Sequence, residues 1–314
     1  MGGIQVIEPG LLTTIQDQGR WGYQKEGIPV SGAMDTLSLQ IANLLVSNSR
    51  NEACLEITLL GPKLKFDTDT TIAITGANLQ PKLNGHPISG WRSIQIEKGS
   101  LLEFNQAQQG CRAYLATSGG FKIDEVMESK STYLRGSIGG YKGRSLEKDD
   151  YIPIVGSQVN EPNWYFNQPK YPNIKEIRVV MGPQARMFTE EGIANFFNSQ
   201  YKVSPASDRM GYRLKGPVIG TKGGSDIISD GIPFGGIQIP SDGSPIILMA
   251  DRQPTGGYAK IGTVATVDLP QIAQSKPGDI LKFKRIDISQ AQKLYNQLEM
   301  VLVGLDRYRT KDFS

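Results

Sequence analysis

The sequence of 314 residues contains a single histidine, His86. A Ser-His-Asp triad, a His-rich zinc site or a His-Glu-x-x-His helix would have to rest on that one imidazole, and no metal site is expected. It sits in Asn84-Gly85-His86-Pro87, whose chemistry is that of an exposed turn. Cysteine is nearly as scarce. Cys54 and Cys111 are too far apart for a Cys-x-x-Cys site and too few for a disulfide scaffold, so two buried, reduced thiols are expected. No apolar run approaches the ~18 residues of a membrane span, and the first residues lack the basic and apolar regions of a signal peptide. A cytoplasmic protein without a membrane partner is the expectation. An excess of one charge sign is missing too: 34 basic and 31 acidic residues leave a net charge of +3, too little for a nucleic-acid footprint. Finally, no Gly-x-x-x-x-Gly-Lys-Ser/Thr string is present, because the nearest candidate, Gly139 to Ser145, has the wrong spacing and carries Arg144 in place of the lysine. Any ATP would be held mainly by another polypeptide.

What is abundant is turn chemistry. Glycine (36) and proline (18) make up about 17% of the chain, against ~12% in average usage. Short apolar runs separated by such residues read as a mostly β protein. Ile4 to Glu8 alternates before Pro9-Gly10, Leu55 to Leu60 closes on Gly61-Pro62, and Thr71 to Thr75 precedes Gly76. Three segments have helical spacing: Asp35 to Ser47 with Asp35 as its cap, Phe188 to Phe197, and Ser289 to Leu302. A weak internal repeat matches Leu60-Gly61-Pro62 and the Gly99 to Phe104 string with Leu214 to Pro217 and the Gly278 to Phe283 string. It suggests two tandem β units, joined where Val155 to Ile174 loses periodicity.

Four segments carry more polar chemistry than a β scaffold needs. The first, Thr13 to Tyr23 continuing to Asp35, holds Asp17, Arg20 and Asp35 among glycines; it reads either as a ligand loop or as an Asp-Arg pair holding a long loop together. The second, Ser129 to Arg144, is a Gly-rich loop whose N–H groups can form an anion nest beside Arg135 and Arg144. In the third, Ser207 to Leu214, the residues Asp208, Arg209 and Tyr212 offer an orienting acid, an anion clamp and a phenol donor. In the fourth, the apolar strand Ile246 to Ala250 delivers Asp251 into a Gly-rich loop with Gln253, Thr255 and Tyr258, and Gln238 lies upstream. A carboxylate at such a strand end can be oriented and partly desolvated, although pairing of Asp251 with Arg252 or Lys260 for structure alone competes with that reading.

At these segments the chain resembles the KipA-type family, also called allophanate hydrolase subunit 2 or the C-type 5-oxoprolinase component, which is similar to part of the carboxyltransferase domain of urea carboxylase. The strings TTIQDQGRWGY, GIPVSGAMD, ITGANL, RAYLATSGGF, SDRMGYRLKGP and ADRQPTGGYAKIGTV carry the resemblance, within residues 4 to 285.

The resemblance implies a mainly β fold of two tandem cyclophilin-like β-barrel units with a few short helices, residues 1–160 and 170–314, the second ending in a helix. It implies a KipI-like partner, the B-type 5-oxoprolinase component, and a possible A-type component. The implied reaction opens 5-oxoproline to glutamate with ATP used by the complex; the chain alone is expected to be inactive. The alternatives are a regulatory protein that antagonises a KipI-like kinase inhibitor, or a urea or allophanate carboxyltransferase component. The chain has no Met-Lys-Met string, so biotin could enter only as a group carried by a partner. Under this resemblance Asp251, Tyr258 and Arg209 take the catalytic roles. Asp17, Arg20, Asp35, Arg135, Asp208, Tyr212, Gln238, Gln253 and Thr255 bind a small amide substrate in one shared cleft.

Overall fold

The computed structural model describes residues 2–155 and 165–311; residues 156–164 of the expected join lie outside that range. Most of the described elements are strands, as the turn chemistry and short apolar runs dictate. The chain divides into two compact units, Met1–Arg20 with Ser31–Lys170 and the residues from Val303, and Trp21–Val30 with Tyr171–Leu302.

In the first unit the strands form two sheets. One runs in the order Tyr151–Pro153, Gly3–Glu8, Lys63–Phe66, Leu101–Glu103, Lys82–Leu83 and His86–Pro87. The other runs Leu12–Gln16, Cys54–Thr58, Gln109–Thr117, Thr70–Asn78 and Ser93–Ile96. Alternation puts Ile4, Val6, Leu64 and Phe66 from the first sheet into one core with Ile15, Leu55, Ile57, Ile72 and Leu115 from the second. Helix α1 (Thr36–Leu45) is capped by Asp35, whose carboxylate accepts from the Ser38 N–H at 2.9 Å. Both cysteines are free and buried, and burial pushes the Cys54 thiol well above its ordinary range, with the charge of Glu52 adding to it. His86 is exposed on the hairpin that Asn84-Gly85 turns.

The second unit contains a closed barrel in the order Ile174–Met181, Lys260–Val264, Gly236–Gln238, Ile246–Leu248, Gly211–Lys215, Gln200–Val203 and Ile280–Ile286. Closure is made by the parallel pairing of Ile174–Met181 with Ile280–Ile286. Helix α2 (Glu190–Asn198), capped by Thr189, stacks Phe196 on Phe283 with ring centroids 4.3 Å apart. Two ion pairs brace the barrel: Lys175 with Asp279 at 2.7 Å, and Arg178 bidentate on Asp268. Helices α3 (Leu269–Ala273) and α4 (Ile288–Lys311) complete the described helices. A separate two-stranded ribbon, Asp226–Gly231 with Thr255–Tyr258, stands beside the barrel strands in sequence.

The string-level repeat does not translate into equivalent pairing. Leu101–Glu103 pairs with Lys63–Phe66, directly after Pro62, whereas Ile280–Ile286 pairs with Ile174–Met181 and Gln200–Val203. Short Gly-bounded strands are alike in sequence because their turns are alike, whatever they pair with.

Candidate functional site

Strand register builds the centre of the second unit. Gly211 pairs with Leu248, and the ladder continues past both strand ends, with Met249 N–H donating to Met210 O and Asp251 N–H to Arg209 O, each at 2.9 Å. Asp208 shapes the turn that precedes: its carboxylate accepts from the N–H groups of Met210 at 2.8 Å and Gly211 at 3.1 Å, while the side chain itself is exposed. Arg209 is thereby set directly across from Asp251. Its Nε and Nη2 donate to Asp251 Oδ2 and Oδ1, both at 2.9 Å, and both residues are 5% exposed. This is a parallel two-bond fork, the strongest geometry available to a guanidinium and a carboxylate. The expected structural partners of Asp251 are engaged elsewhere. Lys260 pairs with Asp230 at 2.7 Å, and that hydrogen bond holds the Asp230 carboxyl below its usual range.

Arg252 follows in the chain and is 6% exposed. Its Nε donates to Ile232 O at 3.0 Å and its Nη1 to Met249 O at 3.2 Å, and its Cζ lies 5.3 Å from the centre of the Phe234 ring. Burial pulls this guanidinium down to about 10, against the opposing pull of the Asp251 charge. Gln238 and Gln253 meet over Gly256. A Cβ there would lie 2.8 Å from Gln238 Nε2 and 2.7 Å from Ile232 Cδ1, so a side chain would push on both, while Gln253 Nε2, at 3.5 Å, would be in ordinary contact. Thr255 and Tyr258, both exposed, are the ends of the ribbon strand, and Gln238 Nε2 donates to Tyr258 O at 3.3 Å. Tyr212 is different. At 2% exposure its hydroxyl lies 3.1 Å from Ser275 O and 3.4 Å from Ala273 O, so this phenol ties strand Gly211–Lys215 to the backbone after α3.

The first unit uses its polar residues differently. Asp17 accepts from Gly19 N–H at 2.8 Å, Lys130 N–H at 2.6 Å, Ser129 Oγ at 2.8 Å and the Ser131 hydroxyl. Arg20, fully buried, donates from Nε to Val126 O at 2.9 Å and from Nη2 to Ser131 O at 2.8 Å. Asp17 and Arg20 thus grip the same segment, 126–131. Gly32, at φ +84, packs so closely on Gln18 and Gly19 that a Cβ would sit 2.8 Å from Gly19 N. Asp35, besides capping α1, takes a hydrogen bond from the Ser38 hydroxyl at 2.7 Å, and its N–H donates to the buried Tyr114 hydroxyl, which donates in turn to Glu56.

Arg135 is exposed in the short turn Leu134–Gly136. Part of the backbone expected to form an anion nest in the second segment is engaged within the loop. The N–H groups of Ser137, Ile138, Gly140, Gly143 and Arg144 donate to carbonyls of the same loop, and the Arg144 guanidinium is bidentate on Asp150 at 2.7 Å. Those five donors are spent inside the loop, and no ATP step is assigned to it.

With this geometry in place, the known relatives are informative. The model of the carboxyltransferase domain, subdomains A and B, matches residues 26–285. The chain belongs to the carboxyltransferase-domain family. Within or beside that family it is similar to the C subunit of 5-oxoprolinase from Escherichia coli, with 37% identity over 292 residues, 92% of this chain and 93% of that one. The corresponding Haemophilus influenzae protein is 33% identical over 304 residues, covering 97% and 98%. Among solved structures, the urea amidolyase of K. lactis has a TM-score of 0.89 and 32% identity over 96% of this chain, but the match spans only 20% of that much longer protein. TTHA0988 has a TM-score of 0.84 and 32% identity, covering 90% of this chain and 55% of that one. No described helix is long and apolar enough to cross a membrane.

Sequence reasoning named Asp251 and Arg209 separately, and the fold joins them. It considered Arg252 only as a partner for Asp251, and with Asp208, Arg209, Arg213, Asp251 and Arg252 all in the two motifs the sequence carried no signal that Asp251 would turn to Arg209 instead.

Proposed function

We propose that the chain is part of an ATP-dependent complex that opens 5-oxoproline to glutamate, with its reacting end in the second unit around Asp251. The near full-length similarity to the C subunit of 5-oxoprolinase supports the assignment to such a complex. The observation that carries the chemistry is the buried fork between Arg209 and Asp251. Opening the lactam breaks its C–N bond and adds the elements of water, with the proton passing to the ring nitrogen. Negative charge grows on the lactam oxygen on the way, and preorganised donors in a dry site stabilise it far better than water does.

Arg209 and the Tyr258 hydroxyl are the donors in this reading. Asp251 handles the proton. A carboxylate has about four lone-pair sites, and the fork uses one on each oxygen, so acceptor capacity is left for a ligand N–H. Thr255, Gln253 and Gln238 line the approach along the ribbon, and Tyr212 and Asp208 hold Arg209's strand and turn in register. A KipI-like chain of the B type and an A-type 5-oxoprolinase component are the proposed partners, and ATP is turned over outside this chain.

Asp251→Asn keeps the side chain's size, removes the proton acceptor and gives up one arm of the fork, because a carboxamide NH2 cannot accept from Arg209. In the reconstituted complex, glutamate release should fall by about 10²- to 10⁴-fold, the ordinary worth of a positioned acid or base, with the circular-dichroism spectrum unchanged. Turnover within a few-fold of the unmodified complex would remove Asp251 from the chemistry. The likeness to the urea amidolyase structure favours a second reading, carboxyl transfer to urea from a biotinylated partner; consumption of urea that requires such a partner, with 5-oxoproline untouched, would select it.

A further inference from the structure

Arg252 is a buried cation held by neutral groups. Moving a charge out of water is costly unless an opposite charge meets it, and three other arginines of this chain are met in that way. Arg209 has Asp251, and half-buried Arg144 and Arg178 have Asp150 and Asp268. Arg252 is buried as deeply as Arg209, yet among the described residues no acid lies within ion-pair distance of it. Its chain neighbour Asp251 gives both oxygens to Arg209. Two backbone carbonyls take Nε and Nη1, and the Phe234 ring faces the guanidinium; these are neutral partners that orient the group without cancelling its charge.

The neighbourhood is polar as well. Ile232, whose carbonyl holds Arg252, also packs against Gly256, where the Gln238 and Gln253 amides converge. An oriented, desolvated guanidinium with carboxamides nearby and no acid of its own is a receptor for an anion that comes from outside.

We propose that Arg252 recognises a carboxylate on the substrate, so that the second unit takes a carboxylate-bearing lactam and rejects its neutral counterpart. The inference rests on the reading of the Asp251 region as the lactam site and adds the feature that sets its ligand class. Arg252 and Asp251 are consecutive, which matches a small ligand whose carboxylate and ring amide are only a few bonds apart. The planar fork of a guanidinium suits a carboxylate better than it suits the single oxygen of urea.

Calorimetric titration of the full chain, alone and assembled with its partner proteins, tests this with L-5-oxoproline, its neutral amide 5-oxoprolinamide, and pyrrolidin-2-one. The acid should bind the unmodified protein about tenfold or more tighter than either neutral lactam, the usual scale of a desolvated charge-assisted contact. Arg252→Gln should abolish that preference and leave the neutral lactams' affinity unchanged, and Arg252→Lys should restore part of it. Equal binding of acid and amide by the unmodified protein overturns the proposal, as does an Arg252→Gln variant that keeps the preference, or failure of the acid to bind either preparation. Because the amide comparison needs no mutant, misfolding of a variant leaves the test intact. Arg252-dependent binding without ATP-driven glutamate release would contradict the hydrolase reading and leave carboxylate recognition standing. Glutamate release with a KM unmoved by Arg252→Gln would contradict the inference alone.

Discussion

Two buried aspartates in the same chain are treated in opposite ways. Asp17, in the first unit, is surrounded by two serine hydroxyls and two backbone N–H groups, all neutral, and every one of them belongs to the segments it ties together. Asp251, in the second, is met by a guanidinium, with a second guanidinium next in the chain that has no acid. The first arrangement is complete. It spends its polar groups on holding loop 126–132 against the Asp17 to Gly19 turn, much as Arg144 and Asp150 hold the following loop. The second leaves a positive charge held by carbonyls and a ring, with no ion-paired acid, in a dry place. A polar cluster that closes on itself reads as scaffold, and one that ends in unmet charge reads as a receptor.

Mutation can break this contrast. The largest effect should come from Asp17→Ala, which strands four donors; hydrogen bonds to a charged acceptor contribute about 1.5–3 kcal/mol each, so a loss of roughly 3 kcal/mol or more of stability is expected. Chemical denaturation measures it, and affinity for L-5-oxoproline should be unchanged in the protein that remains folded. A tenfold loss of affinity without loss of stability would make Asp17 a ligand residue and erase the contrast. Next, Gly256→Ala drives a Cβ into Ile232 Cδ1 and the Gln238 amide. Overpacking of that kind costs about 1–3 kcal/mol, and it should weaken lactam binding as Gln238 moves; unchanged affinity would exclude the two amides from the site.

The smallest effect is a pH dependence. The Arg144 hydrogen bonds hold the Asp150 carboxyl below its usual range, and the Glu147 N–H adds to them against the cost of burial. A depressed acid contributes stability above its unfolded value, about 3.9, and loses it as pH falls through the lower folded value. The stability gap between the unmodified protein and Asp150→Asn should therefore narrow from pH 5 towards about pH 2. A gap that stays constant would mean that the pair adds nothing beyond shape.

How much of this was legible beforehand depends on how local each feature is. The cap at Asp35, the strand Ile246–Leu248 that leads to Asp251 and the buried thiols follow from a few adjacent residues, and they fold as their chemistry dictates. The partner of Asp251 was not legible. It depends on the register of two strands about 40 residues apart, and a one-residue slip would have presented another side chain. Tyr212 was grouped with Arg209 by nearness in sequence, but it lies on the barrel strand beyond the Asp208 turn, where its hydroxyl finds the carbonyls after α3. The Gly-rich loop at 137–144 shows the same limit: its composition allows an anion nest, and only the path of the backbone decides that five of its donors turn inward.

The most direct test is a crystal structure of the chain, assembled with its partner proteins, in the presence of L-5-oxoproline. The ligand carboxylate is expected within about 3 Å of the Arg252 guanidinium, with the lactam amide facing Asp251 and Arg209. Ligand density confined to the first unit, or an Arg252 that keeps only its two carbonyls while the substrate binds elsewhere, would contradict it.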